Sequence, residues 1–173
     1  MIKLNSLKSN ELNKKQIREI CILKDSLWKY GLNSQLKWFK ENLKSNDLHN
    51  CLYLKEKLVG YTCLRNRKFS HGNKNKSYLL FDSLIISKNL RKKKLSYLLM
   101  LFNNNIIKSQ KKISFLICDS KLQNFYKKFN WKNLRNNQFI FLNHKLKKKH
   151  GMIYNLKIAK KIFNKKNLFY FYK

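Results

Sequence analysis

Two stretches of this sequence carry residues whose types and spacing suit chemistry. In SLIISKNLRKKKLSYLLM an apolar strand passes through a basic turn and leaves as an apolar helix. Free backbone N–H groups at a helix N-terminus, beside Arg91, Lys92, Lys93 and Lys94, suit a phosphate. Such cradles are usually glycine-rich and this one has no glycine, so a solvated basic turn is the competing reading. The strand YLLFDSLIIS holds Asp82, the one acid in an otherwise apolar run. Burying it unpaired would be expensive, so it is either paired with a cation or backbone N–H, or it serves as a base. A period of two puts it on the face of Leu84 and Ile86.

Other reactive types are scattered. His49 opens a strand in NDLHNCLYL and reads as a satisfied or capping group before it reads as a reactive one. His71, His144 and His150 lie in polar stretches without spaced partners, so no metal site is expected. Cys21, Cys51, Cys63 and Cys118 form no C-x-x-C pair and read as reduced, buried thiols of a cytoplasmic protein. There is no G-x-S-x-G, no Cys/His pairing and no Walker loop. Trp28, Tyr30 and Trp38 lie in the first two helical stretches, where each reads first as packing and second as a surface for a ligand to stack on.

The elements that must position these residues follow from periodicity. A short strand opens the chain. NELNKKQIREICILKDSLWKYG then places Ile17, Ile20, Cys21 and Trp28 near one helical face, with Gly31 as a stop. NSQLKWFKENL repeats the pattern with Leu36, Phe39 and Leu43, capped by Asn33 or Ser34. CLYLKEKLVGYTCLR reads as a hairpin around Lys55–Lys57, and NRKFSHGNKNKS as a polar loop. After the buried strand and basic turn, Leu95, Leu98, Leu99, Phe102 and Ile106 form a helical stripe. ISFLIC is an apolar strand, and SKLQNFYKKF a short helix with Leu122, Phe125, Tyr126 and Phe129 inward. NQFIFL is expected to close the sheet. The chain is expected to form one α/β domain over 1–142, followed by a basic, aromatic C-terminal extension over 143–173 that includes a helix.

The 173 residues carry a formal net charge of +32, which resembles a nucleic-acid footprint. Arginine occurs only at positions 18, 65, 67, 91 and 135, so lysine supplies most of the charge, and it is spread along the whole chain. Abundant asparagine, no proline and a single alanine match a drift toward AT-rich codons. A nucleic-acid partner is therefore not expected. No apolar run approaches the length of a membrane span, and the first residues have no signal-peptide core, so a cytoplasmic protein, monomeric or homodimeric, is expected.

In this order of elements the chain resembles the GNAT superfamily of acyl-CoA N-acyltransferases. The family's main motif follows a strand ending V-x-P and reads R/Q-x-x-G-x-G/A before a helix. Here IISKNLRKKKLSYLLM aligns with it, with Ile86 at the valine, Lys88 at the proline, Arg91 opening the loop, Lys94 at the glycine and Ser96 at the final small position. The second motif, a helix ending in tyrosine followed by glycine and an aromatic, aligns with DSKLQNFYKKFNW, with Tyr126, Asn130 and Trp131 in those places. KLVGYTCL, with Gly60, is similar to the family's third strand. The likeness covers roughly Lys3 to Leu142.

The resemblance implies an α/β fold of GNAT type, a mixed sheet of about six or seven strands flanked by helices. It implies acetyl-CoA as acyl donor and the primary amine of a small molecule as acceptor. Backbone along Leu84, Ile85 and Ile86, the turn from Arg91 through Lys92, Lys93, Lys94 and Leu95 to Ser96, and Asp119 would hold the donor. Tyr126 would protonate the departing thiolate and Asp82 would take the proton of the amine. Trp28, Tyr30 and His49 would line the acceptor's site. A protein of charge +32 repels basic peptides, so an acceptor carrying phosphate or carboxylate, such as a phosphate-bearing amino sugar, is favoured. A degenerate member that keeps the fold without activity, or a basic nucleic-acid-binding protein, is the alternative.

Overall fold

The computed structural model describes residues 1–142, 149–155 and 168–172. In chain order the elements are β1 (Ile2–Lys8), α1 (Lys14–Asp25), α2 (Leu32–Asn42), β2 (Leu48–Leu54), β3 (Lys57–His71), β4 (Lys74–Ile86) and α3 (Leu95–Ser109). There follow β5 (Ser114–Asp119), α4 (Ser120–Lys127), β6 (Lys132–Leu134), β7 (Phe139–Phe141), β8 (Lys149–Tyr154) and β9 (Phe169–Phe171). The strands form one mixed, mostly antiparallel sheet. The chain packs as two compact units, Met1–Arg65 with Asp82–Asn103, and Asn66–Phe81 with Asn104–Lys173; β3, β4 and α3 pass through both.

In the first unit β1 pairs antiparallel with β2, β2 antiparallel with β3, and β3 neighbours β4. The β2–β3 hairpin turns at Lys55 and Glu56, both with left-handed φ (47° and 62°), the geometry of a two-residue primed turn. Asn13 begins α1 with a reciprocal capping box, in which its Oδ1 accepts from Gln16 N–H at 2.9 Å and Gln16 Oε1 accepts from Asn13 N–H at 3.0 Å. Gly31, at φ 85°, is the N-cap of α2. Asn33 and Ser34, expected as caps, therefore lie inside the first turn, because glycine at this φ lets the chain turn into the helix one or two residues earlier. Ile20, Cys21 and Leu23 of α1 and Phe39 of α2 pack with Cys51, Tyr61, Cys63 and Ile85. Leu99 of α3 packs with Leu52 and Val59, joined by the half-buried Leu84 and Ile86.

In the second unit β4 pairs parallel with β5 through Leu79–Ser114 and Leu80–Phe115. β8 lies antiparallel to both β5 and β6. β9 runs antiparallel to the end of β3 and parallel to β7. Its core is aromatic: Phe115 stacks on Phe171 at 3.9 Å, with Phe69, Tyr78, Phe139 and Phe169 around them.

Three expectations change. The stretch expected as a polar loop is the tip of a hairpin, with β3 reaching His71 and β4 starting at Lys74 around Gly72 (φ 57°). Phe69 and His71 extend β3 because they pair with Phe171 and Phe169, a partner strand about 100 residues away that no local pattern reveals. The inner face of α4 holds Tyr126, Phe129 is buried just beyond its end, and Leu122 is 40% exposed. On α3 the buried positions also include Asn103 and Asn104. Of the 143–173 stretch, 149–154 and 169–171 are strands of the sheet, and the remainder, where the expected helix would fall, lies outside the described residues. Among the described residues no helix is long and apolar enough to cross a membrane.

Candidate active site

The turn into α3 is strained in a particular way. Lys92 and Lys94 both have left-handed φ, 66° and 57°. Each costs about 1 kcal/mol for a residue with a Cβ. Successive left- and right-handed residues direct backbone N–H groups into one concavity. Arg91 N–H donates to Lys88 O, and Tyr97 and Leu98 N–H both donate to Lys94 O. Between them, the N–H groups of Lys92 to Ser96 meet no acceptor among the described residues. No acidic residue stands in the first turn of α3, and Arg91 to Lys94 are exposed. Ile85 is buried in the core, so it offers a ligand only its backbone.

Also in the first unit is a cavity of about 490 Å³ lined by Lys24, Trp28, Tyr30, Ser34, Gln35 and Trp38 from the first two helices and their connection, and by Asp82 and Ser83 from β4. Asp82 does not share a face with Leu84 and Ile86, which pack toward α3. Ser83 has φ 63°, and this left-handed residue breaks the alternation of β4 and turns Asp82 toward α1 and α2. Asp82 accepts from Arg65 Nη1 at 3.1 Å through one oxygen and from Ser83 Oγ at 3.1 Å through the other. Arg65 is 3% exposed; its Nη2 donates to Asn42 O, and its guanidinium lies 5.5 Å from the Trp38 ring centre. Trp28, Tyr30 and Asp82 are thus brought together.

His49 is not among the lining residues. It is fully buried between Ser9 Oγ and Tyr61 OH, each 2.8 Å from a ring nitrogen. Burial pushes its pKa down to about 4, with Asp47 opposing and Lys24 reinforcing.

In the second unit Tyr126 ends α4 and is 6% exposed. Phe81 and Trp131 flank its ring, at 6.1 Å and 6.2 Å between centroids. Its hydroxyl has no hydrogen-bond partner among the described residues, and burial, with Cys118 adding, pushes its pKa up. Asn130 takes φ 64°, which lets Trp131 N–H return to Tyr126 O at 3.3 Å and ends the helix. Asp119, at the N-cap of α4, is exposed and paired with Lys149 at 2.6 Å, a contact that lowers its pKa.

Compared as a structure, the chain is similar to Escherichia coli ElaA, with TM-score 0.67 and 18% identity over 90% of this chain and 100% of that one. This is the GNAT acyltransferase fold. It is also similar to an aminoglycoside 6′-N-acetyltransferase complexed with coenzyme A, with TM-score 0.64 and 15% identity over 88% of this chain and 96% of that one. The Bacillus subtilis N-acetyltransferase YlbP, in complex with coenzyme A, superposes with TM-score 0.55 and 20% identity over 90% and 97%. No family model matches the sequence, and no curated protein matches it.

Two residues of the site escaped sequence reasoning. Arg65 is one of only five arginines and directly follows the apolar run YTCL, a position where a guanidinium needs a partner. Lys24 stands four residues after Ile20 and three after Cys21, on the buried stripe of α1, and it is 5% exposed. A lysine on an apolar helical stripe was the available signal.

Proposed function

We propose that the protein is an N-acyltransferase that moves an acetyl group from acetyl-CoA to the primary amine of a small molecule. The observation that carries this reading is the turn Arg91–Ser96, where five N–H groups without an acceptor among the described residues open at the start of α3 between cationic side chains. A pyrophosphate needs that donor set, so the residues present fit coenzyme A. Lys94 stands where the family has glycine, yet its backbone holds the left-handed conformation a glycine would take. That supports a working turn over a degenerate one.

The chemistry divides among this chain's own groups. The acceptor arrives as an ammonium and must lose a proton before its nitrogen can bond to the acyl carbon. Asp82 is proposed to receive that proton or hold the ammonium, with Arg65 fixing the carboxylate's orientation. When the carbon–sulfur bond breaks, the thiolate takes a proton from Tyr126. A buried tyrosine with raised pKa keeps its proton at neutral pH, and its hydroxyl has no competing acceptor among the described residues. The cavity walled by Trp28, Tyr30 and Trp38 is proposed for the acceptor, whose flat apolar parts would stack there. Phosphate-bearing amino sugars are the favoured class, because the net charge of +32 draws anions and repels basic peptides. The test is a panel assay of CoA release with nucleotide-linked amino sugars, free amino sugars, polyamines and basic peptides. A preference for polyamines or peptides that persists at physiological salt would overturn the acceptor class. Release with no amine at all would overturn the activity.

A further inference from the structure

Lys24 is 5% exposed, yet its side chain lines the cavity of the first unit. Its Nζ sits 3.6 Å from the centre of the Trp38 ring. Among the described residues it has neither a hydrogen-bond acceptor nor a carboxylate within ion-pair distance. The carboxylate in the wall, Asp82, is already held by Arg65 and Ser83. Two cations, Lys24 and Arg65, therefore face one ring and one carboxylate. A core lysine normally carries its head out to bulk water. This one ends at an aromatic-walled cavity, where a ligand anion would give the ammonium a charged acceptor.

We propose that Lys24 binds an anionic group, carboxylate or phosphate, carried by the acceptor alongside its amine. This rests on reading the cavity as the acceptor's site. The pocket then selects amines that bear an anion over plain amines and polyamines, with the flat body of the acceptor between Trp28 and Trp38 and its ammonium toward Asp82. The selection is local, unlike the pull of the overall charge. A surface field is screened over about 8 Å at physiological salt, whereas a buried contact persists. Burial pushes the Lys24 pKa down, with Asp82, Cys21 and Cys63 opposing and Arg65 reinforcing, and a bound anion favours the charged form.

The experiment uses two matched pairs, glucosamine 6-phosphate with glucosamine, and tyrosine with tyramine. Affinity is measured by calorimetry at physiological salt for wild type, Lys24→Met, Lys24→Gln and Lys24→Arg, each checked for folding by circular dichroism. Where turnover occurs, kcat/KM is measured as well. Wild type is expected to prefer the anionic member of at least one pair by about tenfold. That preference collapses to near unity in Lys24→Met and Lys24→Gln and is retained in Lys24→Arg, and the pair that responds tells phosphate from carboxylate. The inference is overturned if wild type shows no preference or binds no member. It is overturned equally if the preference survives removal of the charge, or if every amine slows alike, which would point to a proton-transfer role. Binding with this pattern but without CoA release would count against the acyltransferase reading alone.

Discussion

At Tyr126 and Asp82 the chemistry comes down to single protons. Tyr126→Phe keeps the packing against Phe81 and Trp131 and removes only the donor. It is expected to lower kcat about a hundredfold with little change in acetyl-CoA affinity. Unchanged kcat in steady-state kinetics would remove Tyr126 from the chemistry. Asp82→Asn should slow the reaction most at low pH, where the acceptor is protonated. It should also destabilise the fold by about 1–3 kcal/mol, read in a urea titration, because Arg65 is buried and loses its charged partner. Some of this was legible beforehand. An acid in an apolar strand had to find a partner or a task, and Asn130 was placed to end a helix. The identity of Asp82's partner was not legible, because Arg65 reaches it across neighbouring strands 17 residues away in sequence. The face of Asp82 was misread because the left-handed turn at Ser83 has no signature in residue type.

The element that matters most is the turn into α3. Lys94 holds φ 57° at a strain cost that glycine would not incur. Lys94→Gly is therefore expected to stabilise the protein by about 1 kcal/mol, read as a higher urea midpoint, with CoA affinity retained. A lower midpoint would mean that the lysine side chain contributes more than its backbone costs. Helices and the β2–β3 hairpin were legible because their signals are local: a capping box at Asn13, a two-residue turn, an apolar stripe. The β8 and β9 strands were hidden for the opposite reason, since their partners lie far off in sequence. Asn103 and Asn104 of α3 are buried without any local signal in residue type, and each is held by specific hydrogen bonds. Asn103 accepts from Asn50 and Thr62, and Asn104 joins Phe129 O to Trp131.

For the whole molecule, stability should depend on pH through His49. Its ring takes a proton near pH 6.5 when unfolded but only at about 4 when folded, so the unfolded chain binds more protons between those values. Stability is thus fully present above pH 6.5 and is lost as pH falls toward 4, by about 3 kcal/mol. Urea titrations across that range should show the slope in wild type and a flatter one in His49→Asn. Parallel slopes would assign the acid sensitivity elsewhere. The net charge of +32 draws anions of every kind, so the decisive experiment must separate a built site from this general attraction. That experiment is a calorimetric titration of acetyl-CoA into wild type and Ser96→Asp at physiological salt, with nonspecific DNA as the competing ligand. Saturable binding of acetyl-CoA is expected, weakened at least about tenfold when an acid at position 96 faces the phosphates. Equal affinity in the two proteins, or no acetyl-CoA binding beside DNA affinity that falls steeply with salt, would contradict the account.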